Sequence, residues 1–465
     1  MHIFLFHRDL RLIDNTTLIK QIKENEYVVP IFIFPPEQID PSQNNYFSNN
    51  SVQFMIESLH ELSNDIKKYN SKLYFFKGDN LKVLNNIHKK IKITSIGFNI
   101  DYTPYARNRD TQIKNWCEKN NIKCYMEEDY LLYNILNGQT TKENGDFYQV
   151  FTPFRNNCYN KLKVREIDTF KKFKFIKNKE LSQSKYNIEE IDHFYVNNPD
   201  INVHGGRSNG LKILNNVVNF KNYEKERDYL IYKTTFLGAH NHFSTVSIRE
   251  VYHEIANNIG KKCGLINELH WRDFYSNIAY FAPRVLQNKS FKEKYDNIKW
   301  EDNKKLFKLW CEGKTGFPIV DSGMRQLNKT GFMHNRLRMI TSSFLIKDLH
   351  IDWRWGEKYF ATKLVDYSPM QNNGGWLWSS GGGTDSQPYF RIFNPWSQIR
   401  FDPDYEFIKL WIPEINNIPN KELNKWFDPN IHEKWLKYGI DYYKPIIDHN
   451  EQRKNILKIY KKYIN

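Results

Sequence analysis

Five short apolar or β-branched runs, at 3–6, 28–34, 73–76, 93–98 and 123–127, punctuate the first 130 residues. Helical stretches lie between them. In 52–66, Val52, Met55, Ile56, Leu59, Leu62 and Ile66 recur at helical spacing, and 80–91 and 104–120 read the same way. Strand and helix alternating in this order feed successive strands into one sheet in parallel, with helices crossing over its faces. The prediction for 1–130 is an N-terminal α/β domain on a doubly wound parallel sheet. Residues 131–205 are polar, rich in Asn and Lys and weakly periodic, and read as a long connector. From 206 to 465 the spacing is mostly helical. Ser247-Ile-Arg-Glu250 is a capping-box sequence that opens one helix. No strand-spaced alternation persists, so the second domain is expected to be all-α. A chain of 465 residues exceeds what one core usually organises, which agrees with two domains. No internal repeat is visible.

The α/β part lacks the common nucleotide fingerprint. Its only glycines before 130 are Gly78 and Gly97, so no G-x-G-x-x-G follows the first strand and an ordinary NAD or FAD site is not expected there. Charge is distributed unevenly. Residues 1–205 carry 28 basic and 25 acidic side chains, net +3, and residues 206–465 carry 40 and 28, net +12. The excess points to a polyanionic partner on the C-terminal part. Drift toward Lys, Asn, Ile and Tyr, as an AT-rich genome produces, explains the same numbers. Aromatic residues make up 16%, which excludes a disordered chain. No run of about 18 apolar residues exists, so no membrane span is expected. The opening MHIFLFHRDLRL has no small-residue cleavage site and does not read as a signal peptide. Cys117, Cys124, Cys158, Cys263 and Cys311 are scattered, which disfavours a metal site or a disulfide framework and fits an intracellular, reducing compartment.

Eleven of the twelve tryptophans lie between 271 and 435, and eight arginines fall between 272 and 400. Any one indole is as well explained by a core. Aromatic faces clustered with basic side chains are also what stacked bases and phosphates require. In 366–398, glycines flank Trp376-Leu-Trp378, which permits close backbone approach to a planar ligand. In FMHNRLRM (332–339), a helix places Asn335, Arg338 and Met339 on one face and turns Arg336 elsewhere. In ELHWRDFY (268–275), Glu268 lies three residues before Trp271 and four before Arg272. A carboxylate beside an indole can hydrogen-bond and stack on a base. A surface ion pair between Glu268 and Arg272 is the alternative.

The order of these motifs resembles one known family. HRDLRLIDN (7–15), VFTPFRN (150–156), NELHWRDFY (267–275), EGKTGFPIVDSGMRQL (312–327), GFMHNRLRM (331–339), IDWRWGEKYF (351–360), NNGGWLW (372–378), PYFRIFNPWSQ (388–398) and PIIDH (445–449) are similar to photolyase/cryptochrome motifs across nearly the whole chain. The match is most like class I photolyases for cyclobutane pyrimidine dimers. The (6-4) photolyases carry histidines where Asn335 and Met339 stand. Cryptochromes of the DASH type tend to have Gln at Met339, and plant cryptochromes tend to lose the pair Trp271 and Trp378. The chain also ends soon after PIIDH, where many cryptochromes add a tail.

The resemblance implies a helical FAD-binding domain at 206–465, blue-light repair of dimers in DNA by electron transfer from reduced FAD, and a monomeric, intracellular lyase. A cryptochrome-like photoreceptor that signals through a protein partner is the alternative. FAD-contacting positions match Tyr223, Thr234, Thr235, Phe236, Leu237, Gly238, Arg338, Asp366, Tyr367 and Ser368, with Asn372 beside flavin N5. Trp376, Trp353 and Trp300 match an indole relay to the flavin. Glu268, Trp271, Asn335, Arg336, Met339 and Trp378 match dimer contacts. Arg227, Arg391 and Gln398 match positions near DNA or the dimer, and Arg272 falls within the same motif. Glu268 and Asn372, with the three relay indoles, are the expected catalytic set, and no metal is expected. The family usually shows Asp where Ser368 stands and Ser where Gly238 stands, so two side-chain hydrogen bonds to the cofactor are absent, on the order of 1 kcal/mol each. For the antenna pigment, Tyr105-Ala106 replaces the Asn-Glu of folate-binding members and DYTPYARNRD (101–110) looks more like deazaflavin-binding ones. Deazaflavin, folate and no antenna all stay open.

Overall fold

The fold was analysed in a computed structural model that describes residues 1–386 and 388–464. Strands β1 (His2–Phe6), β2 (Val29–Phe34), β3 (Tyr74–Lys77), β4 (Ser95–Ile100), β5 (Lys123–Glu128) and β6 (Asn187–Ile188) form one sheet in the order β5-β4-β1-β2-β3-β6. The first five pair in parallel, Ile3 opposite Val29 and Ile96 opposite Cys124, as the alternation of runs predicts. Residue alternation splits the strands between two cores. Phe4, Phe6, Phe32 and Phe34 face the helix Asn49–Lys67, with Phe54, Leu59, Leu62 and Ile66 buried against them. Ile3, Leu5, Ile31 and Ile33 face Val83, Leu84, Ile87 and Trp116 on the other side. Side chains one residue apart on a strand point to opposite faces, so two apolar faces demand helices on both.

Residues 131–205 do more than connect. They contain the helix Phe151–Lys161 and β6, which pairs antiparallel with β3 and caps the sheet edge. Phe173, Phe175, Phe194, Ile201 and Val203 of this stretch are buried in the first of the two sheet cores. The sheet is therefore parallel with one short antiparallel edge strand. Apart from the short pairs Phe173/Phe175 and Ile201/Val203, no period runs through these apolar residues, because the segment passes over a surface that other elements create.

Beyond Gly206 the described residues hold helices, 3-10 turns and one isolated bridge between Glu301 and Ile351. The helix Ile248–Asn258 opens with the expected capping box: Ser247 accepts from the Arg249 amide, and Glu250 accepts from the Ser247 amide at 2.8 Å. The same turn locks the two parts of the chain. Arg249 bonds Asp14 at 2.5 Å and Asp129 at 2.7 Å, and Arg11 bonds Asp129 at 2.6 Å, with all four side chains almost wholly buried. Arg8 grips Asp101 at 2.7 Å and reaches the His242 carbonyl at 3.0 Å. HRDLRLIDN is thus a clamp between the sheet and the helices. A buried ion pair that loses one partner costs about 3–5 kcal/mol, which favours one docking geometry over others. No described helix is long and apolar enough to cross a membrane.

Candidate functional site: a cavity in the helical part

A cavity of about 590 Å³ opens among the helices Gly264–Phe281, Asn335–Lys347 and Pro369–Ser380 and the loop 234–238. It gathers most of the residues singled out in the sequence. Tyr223, Thr234, Thr235, Phe236, Leu237, Gly238, Arg338, Asp366, Ser368, Asn372 and Trp376 line it, and so do Arg227, Glu268, Trp271, Arg272, Asn335, Arg336, Met339 and Trp378. Tyr367 is outside the lining, with its ring stacked 6.4 Å from Tyr46.

At the inner wall, Arg338 binds both Asp366 oxygens, at 2.9 and 3.1 Å, and its Nε donates to the Met333 carbonyl. The arginine is therefore fixed with its charge compensated. Gly238 fits against this pair because it has no side chain: a Cβ there would lie 2.7 Å from Asp366 Oδ2. A serine at 238 would need Asp366 to shift, so the glycine and the position of this carboxylate belong together. The Ser368 hydroxyl donates to Gln371, whose amide holds the Arg272 carbonyl at 2.7 Å and the Ser276 hydroxyl at 2.9 Å. Phe236 holds a left-handed φ of 56°, an uncommon conformation for a bulky side chain that marks a constrained loop. Two buried polar atoms on the wall, Asn241 Oδ1 and His242 Nδ1, have no protein partner. Unpaired buried polar groups call for a polar ligand or water. The cavity volume, a fixed arginine and unpaired polar atoms fit FAD.

At the rim, Glu268 does not pair with Arg272. Its Oε1 accepts from Arg227 at 2.5 Å. Arg272 instead binds the carbonyls of Tyr130 at 2.7 Å and Asn241 at 3.2 Å, beside Asp273. Burial pushes the Glu268 carboxyl up from its ordinary value, and Arg227 opposes that shift. Asn335 and Met339 do share a face, with the amide 3.9 Å from the thioether sulfur. Arg336 turns aside, onto Asp228 and over the Phe401 ring at 4.5 Å. Trp271 stacks on Phe151 at 3.6 Å, with the planes 7° apart. Phe151 comes from the supposed connector and stiffens the indole from behind, a role no local signal announces.

Of the three indoles expected to form the relay, Trp376 (2% exposed) and Trp353 (1%) are buried and Trp300 is partly exposed. Trp376 also meets Trp310 at 6.1 Å. The glycines around Trp376 serve packing as well as access, since a Cβ at Gly374 would strike the Tyr275 ring at 2.3 Å. Arg391 is exposed and lies outside the cavity lining. Gln398 is 5% exposed at the end of the turn Pro395–Gln398, so as placed it offers almost no surface to a duplex. The turn packs inward with Pro395 buried beside it, which leaves the expected position near DNA or the dimer without an exposed Gln398 side chain.

Comparison with known proteins agrees with this geometry. A family described as DNA photolyase matches residues 2–173, and one described as the FAD binding domain of DNA photolyase matches 265–462. The chain is 35% identical to a deoxyribodipyrimidine photo-lyase of Buchnera aphidicola, covering 99% of this chain and 98% of the relative. It is 33% identical to the enzyme of that name from Escherichia coli, over 99% and 98%. The crystal structure of an archaeal photolyase from Sulfolobus tokodaii superposes with a TM-score of 0.86 at 38% identity, covering 99% of each chain.

Proposed function

The chain belongs to the DNA photolyase family and is a lyase that repairs cyclobutane pyrimidine dimers under blue light with FAD as cofactor; on that premise we propose how its own residues divide the work. The observation that carries the reading is the cavity itself. One wall is built to hold a cofactor, and the rim is lined by an acid, two indoles, an amide and a thioether. Reduced FAD held on that wall would supply light-driven electron-transfer chemistry with no net redox change.

The protein holds and orients. Tyr223, residues 234–238, Arg338, Asp366 and Ser368 bind the cofactor. Trp271 and Trp378 form flat walls for the flipped dimer. Met339 gives the ring methyls a soft apolar contact. Glu268 hydrogen-bonds a pyrimidine edge once Arg227 yields it or shares it. Arg227, Arg336, Arg391 and the +12 excess of 206–465 attract the phosphates. Trp376, Trp353 and Trp300 pass electrons inward from the surface.

The subclass supported best is class I, specific for the cyclobutane lesion. Repair of the (6-4) product needs proton transfer in the pocket, and Asn335 and Met339 provide no titratable group there. For a light-harvesting group, the candidate seat is the C-terminal ends of β1 and β4, where the strand order reverses. Both ring nitrogens of His7 lack a partner at that place. The archaeal relative's structure is described as holding two FAD molecules, so a flavin-type group belongs beside deazaflavin and folate among the occupants. We take the enzyme to act as an intracellular monomer.

The deciding experiment illuminates reduced enzyme with oligonucleotides carrying either lesion and follows both by chromatography. Restoration of the cyclobutane oligonucleotide alone is expected. Action on the (6-4) oligonucleotide alone overturns the subclass.

A further inference from the structure

The helix Asn335–Lys347 ends in a buried cation that the repair reaction does not use. Lys347 is 2% exposed. Its Nζ donates to the Arg391 carbonyl at 3.1 Å and to the Tyr389 carbonyl at 3.4 Å, and lies 5.9 Å from the centre of the Tyr460 ring. The neighbouring acid, Asp348, is bonded to His449 at 2.5 Å. Burial pushes the Lys347 ammonium down to about 8, with Asp348 opposing the shift, so it keeps its charge at pH 7. A buried charge is costly unless its hydrogen bonds are made, and a charged donor bonds about twice as strongly as a neutral one. Here both of those bonds go to the backbone of one loop.

The loop has a seat on the helix His449–Ile464. Tyr389 stacks on Tyr460 of that helix, with ring centres 5.7 Å apart and planes 8° apart, and Ile392 joins the same cluster with Ile456. The Tyr460 hydroxyl donates to the Ser380 carbonyl at 2.7 Å, which ties the seat to the end of the helix Pro369–Ser380. With Tyr389 and Ile392 packed inward, the two residues between them face out: Phe390 is 61% exposed, and Arg391 is exposed. Lys347 therefore binds the backbone on either side of Phe390 and at Arg391 itself.

We propose that Lys347 is a positioning residue for DNA binding: by holding the carbonyls of Tyr389 and Arg391 it fixes the loop so that the Arg391 guanidinium meets a backbone phosphate of the duplex. This inference rests on the reading that places Arg391 near DNA. Lys347 is too deeply buried to touch a phosphate, so its charge acts through the loop. A methionine would fill much the same space without the charge, so packing alone does not call for a lysine here. A loop left without this hold would have to be ordered as DNA arrives, and the ordering would be subtracted from the affinity.

The test is a double-mutant cycle on the holoenzyme in the dark, with a duplex carrying one cyclobutane dimer. Affinity is followed by fluorescence anisotropy between about 50 and 200 mM salt, and the slope of log affinity against log salt is read for each variant. Arg391→Gln should lower the slope by about one unit, the share of one phosphate contact. Lys347→Met should lower it by about the same amount, although the side chain it replaces is out of reach of any phosphate. The double variant should lower it no further. Lys347→Gln also removes the charge, should give the same result, and carries the test where Lys347→Met is recovered without FAD. If Arg391→Gln leaves the slope unchanged, the reading of Arg391 near DNA fails, and the proposal with it. If Arg391→Gln lowers the slope while the Lys347 variants leave it unchanged, or if the two losses add, the positioning role fails alone.

Discussion

Glu268 has one arginine four residues along its own helix and another 41 residues away in sequence, and it bonds the distant one. Arg227 keeps the acid poised at the rim, where burial has already raised its affinity for a proton. Glu268→Ala should lower the quantum yield of dimer splitting by roughly tenfold, the equivalent of about 1.5 kcal/mol for a hydrogen bond to a charged group. FAD content, read by absorbance after purification, should not change. A loss of FAD would assign Glu268 to cofactor binding instead. Trp376→Phe separates two tasks. Photoreduction of oxidised flavin, followed by transient absorption, should slow strongly, because the first indole of the relay is gone. Repair by chemically reduced enzyme should change little. Equal losses in both would make Trp376 a packing residue.

Packing between elements is what places that indole. The helix Trp353–Lys363 comes so close to Trp376 that a Cβ at Gly356 would lie 2.1 Å from the indole and 2.5 Å from Leu345. No flexible chain end is available to yield, since both neighbours are buried. Gly356→Ala should lower stability by about 1–3 kcal/mol through overpacking, measured as the shift in urea midpoint. The same variant should disturb the relay, because the helix that must move carries Trp353. At this scale the sequence was readable where the signal is local. The capping box at Ser247, the helical stripe in 52–66 and the first five strands stand where spacing puts them. The contribution of 131–205 was not readable. Its strand has two residues, and Phe173, Phe175 and Phe194 are buried in a core whose helix Asn49–Lys67 lies more than a hundred residues earlier. The parallel edge Tyr74–Lys77 supplies the pairing that makes Asn187–Ile188 a strand at all.

Across the whole molecule, buried titratable groups pull in opposite directions. Burial pushes His240, His270 and His334 down to about 4. Such a histidine is neutral in the folded chain, while the unfolded chain takes up its proton near 6.5. Its contribution is complete above pH 6.5 and declines as the pH falls toward 4. Burial pushes Asp273 and Glu357 up to about 7, and Asp110 and Asp348 up to about 6. These acids contribute with the reverse sign: the folded chain keeps protons that the unfolded chain releases near 4, so stability declines as the pH rises through that window. The sets oppose each other, and the global pH dependence between 4.5 and 6.5 should be shallow. Removing one member exposes its share. The stability gap between wild type and His240→Gln should narrow by about 2 kcal/mol from pH 7 to pH 5, at about 1.4 kcal/mol per pH unit below 6.5. Parallel urea curves at both pH values check this; a constant gap would mean that His240 is charged in the fold. The charge excess of 206–465 also acts at this scale. DNA affinity should fall steeply between 50 and 200 mM salt, by roughly 10³-fold or more if six phosphates are engaged. A flat response in a filter-binding titration removes the electrostatic groove from the account.

The sequence by itself determined the order of strands and helices, the two-sided sheet, the capping box and the set of residues that converge on the cavity. The elements follow from periodicity, and the residues of the cavity from motifs whose order resembles a known family; both are written within a few positions of each other. Only the tertiary structure decided which arginine holds Glu268, why Gly238 and Gly356 must be small, that Gln398 turns inward, and that Phe151 and Glu357 support the site from behind. Those outcomes depend on distances between residues far apart in the chain. A side chain chooses the partner that gives the best hydrogen bond with the least unpaired burial, and that choice exists only after the backbone has closed.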